Sequence, residues 1–157
     1  MNTWYKKYSW LLFAVSIFVV DRTTKILVVQ KLILNQATEV MPYFNLFFTL
    51  NSGAAFSFLS DTGGWHSWLF IVIGVMVSLV IVFWQLRVTN NYWLQMALAL
   101  ILGGTFGNLF DRIIDGYVVD FLDFYCATWH FPAFNFADAA ICIGTAMLVI
   151  DMLRGKI

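Results

Sequence analysis

Two aspartates, Asp120 and Asp138, are the residues of this sequence best placed for acid–base chemistry. Asp120 lies in Val118-Val119-Asp120-Phe121, an acid inside an otherwise apolar, strand-like run; Asp138 lies in Phe134-Asn135-Phe136-Ala137-Asp138, at the mouth of a long apolar segment. Two carboxyl groups brought together in a poorly solvated place cannot both ionise easily, so they share a proton. One then activates water while the other protonates or polarises a carbonyl. Taken singly, each acid has a plainer reading. Asn135 is a good N-cap and an acid three residues later suits a helix N-terminus, so Asp138 alone reads as a cap-region acid. Asp123 reads as a solvated neighbour. No Ser/His pair offers a rival nucleophile, and His66 and His130, without metal spacing or a convincing partner, read as interfacial histidines. Cys126 and Cys142 show no CxxC pairing, so neither a disulfide nor a metal is expected, and no cofactor is implied.

Other polar residues gather in two places. Asp21 and Lys25 stand four apart, acid before base, the favourable order for a helical ion pair. They read either as a pair that neutralises two charges near a span end or as support for a site. The run Gly103-Gly104-Thr105-Phe106-Gly107-Asn108-Leu109-Phe110-Asp111-Arg112 combines small-xxx-small spacing, which lets helices approach closely, with polar groups. Gly104, Asn108 and Asp111 share a helix face, and Arg112 follows one turn after Asn108. Packing accounts for the glycines but not for the amide, acid and guanidinium, which read as a polar shell.

The elements that must hold these groups are membrane helices. Hydrophobic residues make up 61% of the 157 and charged ones 11%, with mean hydropathy +0.80. A soluble domain carries about 25% charged residues, so a water-facing surface is hard to build here. Zero net charge argues against nucleic acid. Four apolar segments, about 8–29, 65–86, 93–113 and 136–153, are each near the length that crosses about 30 Å of hydrocarbon. Trp10, Trp65, Trp68, Trp84 and Trp93 lie near their ends, where indole favours the headgroup region. The first segment follows Lys6 and Lys7 but leads to Asp21, Arg22 and Thr23 rather than a small-residue cleavage site, so it reads as an uncleaved helix.

Lys6, Lys7, Arg87, Arg154 and Lys156 fall at the termini and the second connection, which places both termini in the cytoplasm and the two long connections outside. Between about Val40 and Phe58, and again over Tyr117 to Phe124, β-branched and aromatic residues with turn signals predict short strands. The expected fold is therefore membrane all-α: one domain, a four-transmembrane-helix bundle with a small extracytoplasmic β-sheet cradle and surface loops.

Together these residues resemble a known family, bacterial lipoprotein signal peptidase, or signal peptidase II. The resemblance covers nearly the whole chain. It rests on Asp21-x-x-x-Lys25, Asn51-x-Gly53-Ala54-Ala55-Phe56, Gly103 to Arg112, Val118-Val119-Asp120-Phe121 and Phe134-Asn135-x-Ala137-Asp138, in that order. It implies an aspartic endopeptidase of the bacterial inner membrane that cleaves diacylglyceryl-modified prolipoproteins just before the lipid-bearing cysteine. Carried over, Asp120 and Asp138 are the catalytic pair. Asn51, Gly53, Asn108, Arg112 and Asn135 line the site and position substrate, and Asp21, Lys25 and Asp111 support it. The implied partners are the lipidated substrate and membrane lipid, with a monomer as the expected form. Thr105 stands where the family usually has alanine, and Arg22 where glutamine is common.

Two other classes compete. An ion or proton pathway would place acids near mid-span, whereas Asp120 and Asp138 map to one edge and no charge falls between Trp65 and Leu86. A non-catalytic lipoprotein-binding factor would use the same surface without turnover.

Overall fold

The computed structural model describes residues 3–53, 65–88 and 90–155. Among them are helices α1 (Thr3–Lys31), α2 (Trp65–Arg87), α3 (Tyr92–Ile114) and α4 (Phe136–Leu153), with strands β1 (Ala37–Met41), β2 (Phe44–Asn51), β3 (Val118–Cys126) and β4 (Trp129–His130). The α4 bounds match the expected span. The α1 helix runs past it at both ends, because helix-compatible polar residues continue the turn where apolar patterning stops. Among the described residues, three helices are long and apolar enough to cross a membrane: α2 from Ser67, α3 and α4. Apolar side chains such as Val72, Leu79 and Phe83 of α2 stay exposed, as suits a lipid-facing rather than a water-facing helix. In α1 the run is broken by Asp21, Arg22 and Lys25. Asp21 and Lys25 are fully buried against the bundle, while Leu12, Val15, Val19 and Leu27 face outward.

The central element is α3, which packs on α4, α1 and α2. Its small residues permit this. A Cβ on Gly103 would lie 2.5 Å from the Ala14 carbonyl oxygen of α1, and one on Gly104 would lie 2.4 Å from that of Ala137 in α4. With two helices at backbone contact, Ala97, Leu98 and Ala99 are wholly buried.

The strands form one antiparallel sheet in the order β1-β2-β3-β4. A two-residue turn, Pro42-Tyr43, joins β1 to β2; Pro supplies the fixed φ and Tyr43 takes φ 72°. β1 begins at Ala37, earlier than expected, and β4 was not foreseen, being too short for periodicity to register. The motif residues Ala54, Ala55 and Phe56, and the rest of the expected strand region up to Phe58, lie outside the described residues, as does the side chain of His66. One face of the sheet rests on the C-terminal end of α1, where Val28 packs with Phe48, Val119 and Phe121. The feature that matters most for the site is a backbone clasp. Phe134 exchanges hydrogen bonds with Leu122 (N–H to O 3.1 Å, and 2.8 Å in return), which fixes the start of α4 beside β3.

Candidate active site

The clasp brings Asn135, the N-cap of α4, against Asp120 in β3. Asn135 forms a capping box: its side-chain oxygen accepts from the Asp138 N–H at 2.9 Å, and Asp138 Oδ2 accepts from the Asn135 N–H at 3.2 Å. The cap reading of Asp138 is therefore correct as local structure. It leaves Asp138 Oδ1 free of the cap, and that oxygen accepts from Asn108 Nδ2 at 2.7 Å. The Asn135 amide meanwhile donates to Asp120 Oδ1 at 2.7 Å and to Asn108 Oδ1 at 3.2 Å. Asn135 and Asn108 thus bridge the two acids from distant stretches of chain.

From the other side, Asn51 Nδ2 donates to Asp120 Oδ2 at 2.9 Å, while Asn51 Oδ1 accepts from the Gly53 N–H at 2.9 Å. Gly53 takes φ +92°, and a Cβ there would meet the Phe70 ring at 2.8 Å, so only glycine closes this turn. Arg112 donates to the Asn108 carbonyl at 3.3 Å and stacks over Phe70 at 4.9 Å. Its charge acts on Asp138, Asp120 and Asp111, and its Nε is buried with no partner among the described residues.

Behind this layer Lys25 pairs with Asp21 (2.7 Å) and Asp111 (2.6 Å) and donates to Asn108 Oδ1 at 3.0 Å. Asp21 Oδ1 accepts from the Ala137 N–H at 3.0 Å. The ten expected site residues, Asp21, Lys25, Asn51, Gly53, Asn108, Asp111, Arg112, Asp120, Asn135 and Asp138, therefore join one network. Sequence reasoning missed Phe70, and it treated Arg22 only as a departure. Arg22 binds Asp111 at 2.5 Å and lies 3.8 Å from Asp115.

The reading of Asp123 as solvated and of His130 as partnerless is corrected. Asp123 is buried, accepts from Asn45 at 3.0 Å, and lies 3.0 Å from His130 Nδ1. The β3–β4 register, with Tyr125 opposite His130, folds the histidine back over the acid.

Asp120 is 2% exposed, and burial pushes its carboxyl up to about 6. The hydrogen bonds from Asn51 and Asn135 and the Lys25 charge pull against this, while the Asp138 charge reinforces it. For an acid whose folded value is raised, the folded state holds more protons than the unfolded one. Its contribution is full below the unfolded value of 3.8 and is lost as pH rises through about 6. The rise from 3.8 to about 6 corresponds to at most about 3 kcal/mol. We expect the wild-type melting temperature in detergent to fall across this window and the fall to be shallower in Asp120→Asn. Parallel melting curves for the two proteins would contradict it.

Comparison with known proteins agrees with this architecture. The family model for signal peptidase (SPase) II matches residues 13–154. A lipoprotein signal peptidase of Vibrio cholerae serotype O1 is 48% identical over 150 residues, covering 94% of this chain and 88% of the relative. That of Photorhabdus laumondii is 46% identical over 143 residues, covering 90% and 86%. A solved bacterial membrane enzyme superposes with TM-score 0.82 at 30% identity, covering 93% of both chains. With its fold and nearly its full length matched, this chain belongs to the signal peptidase II family of peptidases.

Proposed function

We propose that this chain is an aspartic endopeptidase that removes signal peptides from diacylglyceryl-modified prolipoproteins, cutting just before the lipid-bearing cysteine. Asp120 and Asp138 act as its acid pair. The observation that carries the reading is the bridge through Asn135 and Asn108, which holds two acids under each other's charge in a buried setting. Asp138, half-buried at a helix N-terminus, serves as the base. Asp120, in the drier position, holds the proton. Asp138 takes a proton from water as its oxygen attacks the scissile carbonyl, and Asp120 gives its proton to the carbonyl oxygen. Collapse of the resulting diol breaks the C–N bond, with a proton passing to the leaving amine. Asn51, Gly53, Asn108, Arg112 and Asn135 line and orient the substrate.

We further propose that α1 is the fourth span. Its mid-helix charges Asp21 and Lys25 are turned inward, and Leu12, Val15, Val19 and Leu27 make an apolar outward face. Both termini are then cytoplasmic and the acids lie at the extracytoplasmic edge. A cavity of about 320 Å³ between α2, α3 and α4 leads from Asn108 and Arg112 past Thr105 to Ile141 and Val77. It suits an apolar peptide segment arriving through the bilayer. Purified protein in detergent is expected to cut a diacylglyceryl-modified prolipoprotein to a product whose mass begins at the lipidated cysteine. Ion flux in liposomes without cleavage, or binding without turnover, would overturn the proposal.

A further inference from the structure

We propose that Lys25 is a positioning residue of this reaction, fixing the Asn108 side-chain amide so that its NH2 faces Asp138. The proposal rests on the acid-pair reading above. Lys25 is 1% exposed and stands behind Asn108. Its ammonium has three protons and three partners: Asp21 at 2.7 Å, Asp111 at 2.6 Å and Asn108 Oδ1 at 3.0 Å.

A terminal amide has an oxygen end and an NH2 end, and the surroundings of Asn108 admit one orientation. Oδ1 receives Lys25 Nζ and Asn135 Nδ2, while Nδ2 gives to Asp138 Oδ1. Turned by half a rotation, the NH2 would face an ammonium and another NH2, and the oxygen would face a carboxylate. Among the described residues, Lys25 contributes the only full positive charge within hydrogen-bond reach of the oxygen end. It keeps a proton for Asn108 because it does not balance two carboxylates alone: Arg22 shares Asp111 and is itself braced on the Phe110 ring at 4.8 Å. Two acids and two bases then close the buried cluster at zero net charge. Gly107 leaves room for it, since a Cβ there would lie 2.4 Å from Asp21 Oδ2. Through Asp21 and the Ala137 N–H the same cluster holds the first turn of α4.

The test is steady-state cleavage by Lys25→Met and by Lys25→Met/Asp111→Asn, which removes one charge of each sign and keeps the cluster balanced. Both are expected to lose about 10- to 100-fold in kcat with KM within about threefold. The charged groups facing the acid pair are Arg112, Lys25, Asp21 and Asp111. Removing the Lys25 charge makes Asp120 hold its proton more tightly, so the high-pH limb of the rate profile moves upward. In an Asn108→Ala background, Lys25→Met should add less than about twofold, because the route through the amide is already cut. Wild-type kcat and pH profile in either folded Lys25 variant would overturn the proposal. So would an undiminished Lys25 effect in the Asn108→Ala background, or failure of both Lys25 variants to fold, which would assign Lys25 to the scaffold alone. If Asp120→Asn and Asp138→Asn retain turnover, the acid-pair reading itself fails, whatever Lys25 does.

Discussion

Asp120→Asn and Asp138→Asn are each expected to lower the cleavage rate by about 10³- to 10⁴-fold, with KM for the lipidated substrate within about threefold. The loss falls on kcat because neither acid is the main binding surface. In the proposed reading, Asn51, Asn135, Asn108 and Arg112 remain to hold the peptide, and the cavity between α2, α3 and α4 remains to hold its membrane segment. Since one carboxyl transfers a proton only while the other holds its complement, the double variant should be scarcely slower than either single one. Multiplying losses would mean that the acids act separately. Turnover near the wild-type rate in both would move the chemistry elsewhere. Asp123→Asn is the matched control: an equally buried acid in the same strand, bound to His130 and Asn45, with no expected effect above about threefold on kcat.

Gly104→Ala is expected to reduce activity about 100-fold although its side chain touches neither acid. The added methyl would sit 2.4 Å from the Ala137 carbonyl oxygen and 2.8 Å from Ile141 Cγ1. The first contact is with backbone, so α3 and α4 must separate. Such overpacking costs about 1–3 kcal/mol, read as a lower melting temperature. Separation carries Asp138 and Asn135 away from Asn108, breaking hydrogen bonds of 2.7 and 3.2 Å, and a displacement of about 1 Å at a reacting centre can cost about 100-fold. Gly116→Ala supplies the contrast. At φ +80° with nothing within 4 Å, it should strain its turn and leave turnover nearly intact. Equal activity losses from the two would refute the packing argument.

What the sequence disclosed follows from how local each signal is. The α4 start was readable because Asn135 and Asp138 form a cap within four residues. The Asp21–Lys25 pair was readable from one helix turn. The meeting of Asp120 and Asp138 was not derivable from spacing: it depends on Phe134 clasping Leu122 and on Gly104 admitting α4 to α3, both tertiary events. Only the resemblance implied that the two act as a pair. His130 was misread because its partner lies across a two-residue turn at Ala127-Thr128; pairing positions about that turn would have placed Asp123 on the same face. Arg22 had no local signal at all, since its partner Asp111 stands 89 residues away.

The central claim is tested most directly by infrared difference spectroscopy of the carboxyl stretch as pH is raised from about 5 to 8. Wild-type protein should show one protonated, buried carboxyl that loses its band over this range, and Asp120→Asn should lack that band while remaining folded. The same band persisting unchanged in Asp120→Asn, or no protonated carboxyl in the wild type at about pH 5, would contradict a single proton held between the two acids.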